Sequence, residues 1–163
     1  MPRPLTTAAL LLATLAACAV AAEDPTTCYQ DGRIDSAATT QWQAALAGQD
    51  AALMAQLAGN WANEMTADLD GVATAANLLK VFAPDGQMLT TTELCPLGGD
   101  AACDTKNSSG AWRASGTPDG VITIATREAD GSRPGFCLFT EVRLQGDNQL
   151  TFASTGGHYL TRG

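Results

Sequence analysis

Thr117-Pro118-Asp119-Gly120-Val121-Ile122-Thr123-Ile124-Ala125-Thr126 is the stretch that decides the fold. Its first four residues make a turn, because proline presets one backbone dihedral and glycine permits another. The six that follow are mostly β-branched, the composition of a strand. The same device lies upstream, where Leu78-Leu79-Lys80-Val81-Phe82 runs into Ala83-Pro84-Asp85-Gly86. Gln87 to Leu94, rich in threonine and apolar residues, reads as the returning partner. Ala111-Trp112-Arg113 reads as another strand. Phe136 to Leu144 alternates, with Phe136, Leu138, Val142 and Leu144 on one face and Glu141 and Arg143 on the other. Gln145-Gly146-Asp147-Asn148 then turns the chain. Leu150-Thr151-Phe152 and Tyr159-Leu160-Thr161, separated by Gly156-Gly157, complete the pattern. Ala62 to Asn77 reads as one strand and a long loop.

Short strands joined by tight turns, with no helix between them, argue for an antiparallel meander over residues 59–163, closed as a barrel or folded as a sandwich. Closure removes the exposed strand edges that invite aggregation. The expected class is mainly β: a small meander barrel of six to eight strands, preceded by one or two short helices. The helical segment is 36–58. Ser36 caps a stretch that places Trp42, Ala45 and Leu46 on one face, and Gly48 interrupts it. Asp50 caps a second stretch carrying Leu53, Met54 and Leu57, and Gly59 ends it. Residues 18–35 form a polar leader with Asp24-Pro25 and Asp31-Gly32 as turn signals.

Residues 1–17 read as a signal peptide. Arg3 is weakly positive, and Ala8 to Ala17 are apolar over a length too short to span a bilayer as a helix. Leu15-Ala16-Ala17-Cys18 resembles the lipobox of bacterial lipoproteins, which implies lipid on Cys18 and a membrane partner. Ala19 after Cys18 goes with outer-membrane delivery in proteins of that kind. The competing reading uses Ala19-Val20-Ala21 as a small-x-small site and releases a soluble periplasmic protein. Either way the compartment is the bacterial cell envelope.

Setting Cys18 aside, Cys28, Cys95, Cys103 and Cys137 remain, an even number in an oxidising compartment, with three possible pairings. The short Pro-Leu-Gly-Gly-Asp-Ala-Ala loop favours Cys95–Cys103, and Cys28–Cys137 follows by elimination. A metal site is not expected, with one histidine and no Cys-x-x-Cys pair.

The mature chain, about 140–146 residues, is one domain. Loss of Arg3 with the signal takes the formal charge from −8 to −9. That balance argues against nucleic acid and against electrostatic adhesion to anionic lipid. It suits a basic partner, or simply solubility.

Leu57-Ala58-Gly59-Asn60-Trp61, the two Pro-Asp-Gly turns and the late Arg143 and Arg162 resemble the lipocalin-like barrels of bacterial envelope proteins. In lipocalins a Gly-x-Trp opens the first strand and a late basic residue packs over the tryptophan at the closed end. The resemblance implies a structural role for Gly59 and Trp61, with Arg162 or Arg143 as the basic residue. The segment is also similar to barrel-shaped bacterial inhibitors of secreted metalloproteases, which begin with Leu-x-Gly-x-Trp and carry a disulfide.

No catalytic constellation is evident. His158 has no Gly-x-Ser-x-Gly partner. Asp68-Leu69-Asp70-Gly71 lacks the downstream glutamate of a calcium loop and reads as a solvated acidic loop. No cofactor motif occurs. The expectation is therefore a non-enzymatic envelope lipoprotein that binds a small apolar ligand, with Trp112, Phe82 and Phe139 as candidate lining residues. Those aromatics could equally fill a solid core. The alternative is a protein-binding module, such as a periplasmic inhibitor of a secreted hydrolase, that uses loop 95–107 or the leader.

Overall fold

Two Asp-Gly pairs set the first hairpins. Asp31 and Gly32 (φ 51° and 75°) and Asp70 and Gly71 (φ 54° and 83°) all take positive φ, the two-residue turn whose twist matches paired strands. The computed structural model describes residues 24–98, 102–131 and 133–163. The expected signal peptide and lipidation site, residues 1–17 and Cys18, lie outside the described residues. The first pair joins β1 (Tyr29–Gln30) to β2 (Arg33–Ile34). Helices α1 (Ser36–Ala47) and α2 (Ala51–Leu57) follow. The second pair joins β3 (Gly59–Leu69) to β4 (Val72–Phe82), a continuous ladder from Gly59↔Phe82 to Leu69↔Val72. β5 (Gln87–Pro96), β6 (Asp104–Gly116), β7 (Ile122–Ala129), β8 (Phe136–Gln145), β9 (Gln149–Phe152) and β10 (His158–Arg162) each pair with the strand before. β10 also pairs with β3, through Thr161↔Ala62 and Arg162↔Trp61, and closes an eight-stranded antiparallel barrel.

Several local expectations need correction. Ala62 to Asn77 holds no long loop. Asp68 Oδ1 accepts from the Gly71 N–H at 2.7 Å, so the acidic cluster is a hairpin turn with its own cap. The 95–107 region is not a loop throughout, because β6 begins at Asp104, opposite Leu94. That half of β6 is polar on both faces, so no apolar alternation marks it. Asp35, not Ser36, caps α1: its side chain accepts from the Ala38 N–H. Asp50 caps α2 by accepting from the Ala52 and Leu53 N–H groups.

The core divides in two. Inside the barrel, Leu53, Met54 and Leu57 of α2 pack with Trp61, Phe82, Met88, Trp112, Ile122, Ile124, Val142, Leu150 and Leu160 and fill one end. Outside it, Trp42 of α1 packs with Cys28 and Ala125 against the outer face of the sheet. Trp42 Nε1 donates to the Pro25 carbonyl at 3.1 Å. Cys28–Cys137 (Cα–Cα 5.5 Å) fastens the leader to β8, and Cys95–Cys103 (Cα–Cα 4.2 Å) staples the β5–β6 connection. In the chain-entropy account the first contributes about 4–5 kcal/mol and the second about 2–3 kcal/mol, because the first closes the longer loop.

Trp61 is fully buried, and its Nε1 donates to the Leu57 carbonyl at 2.8 Å. That bond ties the plug helix to the first barrel strand. The Arg162 guanidinium lies 4.7 Å from the indole centroid, within cation–π range. Arg143 is exposed. Trp61→Ala is therefore expected to cost about 3–5 kcal/mol, the usual range for emptying a large aromatic site. Urea unfolding followed by far-UV circular dichroism measures it; a loss under 1 kcal/mol (order of magnitude) would mean that the tryptophan does not anchor the plug.

Candidate functional site: the barrel mouth

Side chains alternate across each strand, so on β4 to β8 the even-numbered residues face inward. Near the α2 plug they are Phe82, Met88, Trp112, Ile122 and Val142. Halfway along the barrel the inward set turns polar, with Lys80, Thr90, Ser108, Thr126, Glu128 and Thr140. These residues, with Leu78, Phe136, Leu138 and Tyr159, line a cavity of about 440 Å³ away from the plug, within the range of small-molecule sites.

A buried ion pair forms the floor. Lys80 Nζ lies 2.9 Å from Glu128 Oε1, and the two residues are 6 % and 2 % exposed. Lys80 also donates to Thr90 Oγ1 at 3.3 Å. Glu128 Oε1 accepts from Thr126 Oγ1 at 3.2 Å, and Oε2 accepts from Ser108 Oγ at 2.6 Å. Burial is the largest influence on the Glu128 carboxyl and pushes its pKa up. The Lys80 charge and the hydrogen bonds from Ser108, Lys80 and Thr90 together outweigh it, so the carboxyl sits below its ordinary value and stays ionised. Burial pushes the Tyr159 hydroxyl up, against a hydrogen bond with Thr140. The Tyr159 ring packs on Phe152 at 4.8 Å between centroids.

The rim carries charges in pairs. Lys106 meets Asp104 at 3.6 Å, and Arg133 pairs with Asp130 while lying over Phe136. Leu138 is half exposed although it faces inward. Met65 and Leu69, on the same face of β3 as Trp61, are exposed too. Above the polar floor the lining is mixed, with Leu78, Phe136 and Leu138 beside the charged Lys106, Asp130 and Arg133.

None of the three aromatic candidates lines this mouth. Phe82 and Trp112 pack on each other at 4.6 Å, fully buried in the plugged end, with Trp112 Nε1 donating to the Ala83 carbonyl at 2.9 Å. Phe139, at an odd position of β8, lies on the outer face beside α1, where it lines a separate surface groove with Gln41 and Ala45. Alternation with Leu138 and Thr140 is the signal that could have placed it there. His158 is exposed, with Gln149 and Thr161 beside its ring nitrogens. Glu93 lies close to Cys95 and Cys103, but those sulfurs are bonded to each other and offer no thiolate to a metal. Sequence reasoning missed Lys80 and Glu128. Their signal was a charge at an inward position of an otherwise apolar or hydroxylic face.

No known protein family, curated protein or solved structure matches the chain.

Removing one partner of a buried ion pair strands the other, at a cost of about 3–5 kcal/mol, whereas replacing both with apolar groups can be neutral. Lys80→Met should therefore destabilise strongly at pH 7, and the double variant Lys80→Met/Glu128→Leu should recover most of the loss. The folded carboxyl sits below the ordinary 4.5, so its contribution is present above that pH and is lost as pH falls through the folded value. Urea midpoints of wild type and Glu128→Gln should converge below pH 4.5; a gap that widens there would contradict the pairing.

Proposed function

We propose that this is a non-enzymatic binding protein of the bacterial cell envelope, anchored through lipid on Cys18, whose barrel mouth holds a small amphiphile. One observation carries the binding reading. The barrel is filled at one end and hollow at the other, with a cavity of about 440 Å³ over a structured floor. A barrel of eight strands is wide enough for one small ligand. The apolar part of the ligand lies against Leu78, Leu138 and Phe136, and its polar end reaches the hydroxyls around Lys80 and Glu128. The ion pair is already internally matched and each of its oxygens is hydrogen-bonded, which suits a binding floor better than a proton-transfer site.

The mouth can be tested with a neutral naphthylamine dye that fluoresces in apolar surroundings. The expected result is saturable, blue-shifted emission with one site per protein, lost in Thr92→Trp, because Thr92 also lines the cavity and an indole there fills it. Absence of saturable binding, or equal binding by Thr92→Trp, overturns the reading. The anchor is tested separately: Cys18→Ser should move the protein from the membrane fraction to the soluble periplasm, because stable attachment needs more than one acyl chain. Equal solubility of both forms would favour the soluble alternative.

A further inference from the structure

We infer that the mouth selects a neutral amphiphile whose polar end is a carbonyl acceptor, an ester or an amide, over the corresponding free carboxylate. This rests on the binding reading above. The inference comes from counting charges and hydrogen bonds. Lys80 has three N–H groups, of which one goes to Glu128 and one to Thr90. The Thr90 oxygen accepts from Lys80, and its own proton is turned to the Glu128 carboxylate. The protons of Ser108 and Thr126 are both committed to Glu128. The floor therefore keeps one donor over, the third Lys80 N–H, and a lone pair on a neutral carbonyl oxygen matches it.

A carboxylate would satisfy the same donor but would bring a second negative charge beside Glu128. The Lys80 charge is already balanced by that residue at 2.9 Å. Like charges sharing a poorly solvated site repel strongly. Among the described residues of the rim each cation has an acidic neighbour: Lys106 is matched by Asp104 and Arg133 by Asp130. Charge is thus balanced among these residues, while one donor is left over. That combination favours dipoles over ions.

The test uses the full mature protein and two ligands with one acyl chain, dodecanoic acid and its glycerol monoester, each competing with the naphthylamine dye at pH 7.5. The monoester should displace the dye at a concentration at least about tenfold lower than the acid. Glu128→Gln removes the negative charge and leaves Lys80 unmatched, so the preference should reverse toward the acid. If that variant does not fold, Lys80→Met/Glu128→Leu removes the spare donor and the repelling carboxylate together, so the monoester should weaken and its advantage over the acid should narrow; an unchanged advantage overturns the inference. Equal or tighter binding of the acid by the wild type overturns the inference. So does dye binding that neither lipid displaces. Failure of the dye itself to bind falls on the binding reading instead.

Discussion

The seating of Leu53, Met54 and Leu57 in one end of the barrel is the constraint from which the rest of the molecule follows. A barrel of eight strands can be filled by side chains or can enclose a ligand. This one does both, at different heights. The plug helix supplies apolar surface at one end only, so inward positions there are tryptophan, phenylalanine and branched aliphatics. The other end has no such partner. Among its inward residues are hydroxyls and one matched ion pair, interleaved with Leu78, Phe136 and Leu138, so that end stays open instead of packing shut. The Trp61 indole links the two levels: its ring belongs to the plug, and its strand runs on to the open rim.

Closure follows from the same residues. Arg162 is paired with Trp61 across the β10–β3 ladder and lies over its ring, so the strand that ends the chain meets the one that leaves the plug. The leader and α1 do not enter the barrel. They form a second, smaller core outside, around Trp42 and the Cys28–Cys137 disulfide. Arg127 reinforces the attachment by donating to the Thr27 carbonyl at 2.8 Å. The described part of the leader, from Asp24 on, is therefore fixed to the outer wall of the barrel.

The fold was largely legible because its turns have chemistry. Pro84-Asp85-Gly86 and Pro118-Asp119-Gly120 announce hairpins, and alternation in Phe136 to Leu144 announces a barrel wall. Asp70-Gly71 carries the same message, but acidic neighbours invite comparison with a cation loop and hide it. The first half of β6 is illegible for a different reason. A strand whose inward face meets a polar cavity has no apolar period. The site was harder to find because large aromatics draw attention as ligand contacts, whereas here Phe82 and Trp112 serve the plug. Lys80 and Glu128 meet only through the ladders of four strands, far apart in sequence, so neither residue marks the other until the register is known.

The central claim is a barrel closed by β10 on β3 and plugged at that end. Hydrogen exchange resolved at single amides tests it most directly. In the closed barrel, Ala62 and Thr161, paired across the closing seam, exchange only through global unfolding, as slowly as amides of β6 and β7. Free exchange at Ala62 and Thr161, with β6 and β7 still protected, would show an open sheet and contradict the account.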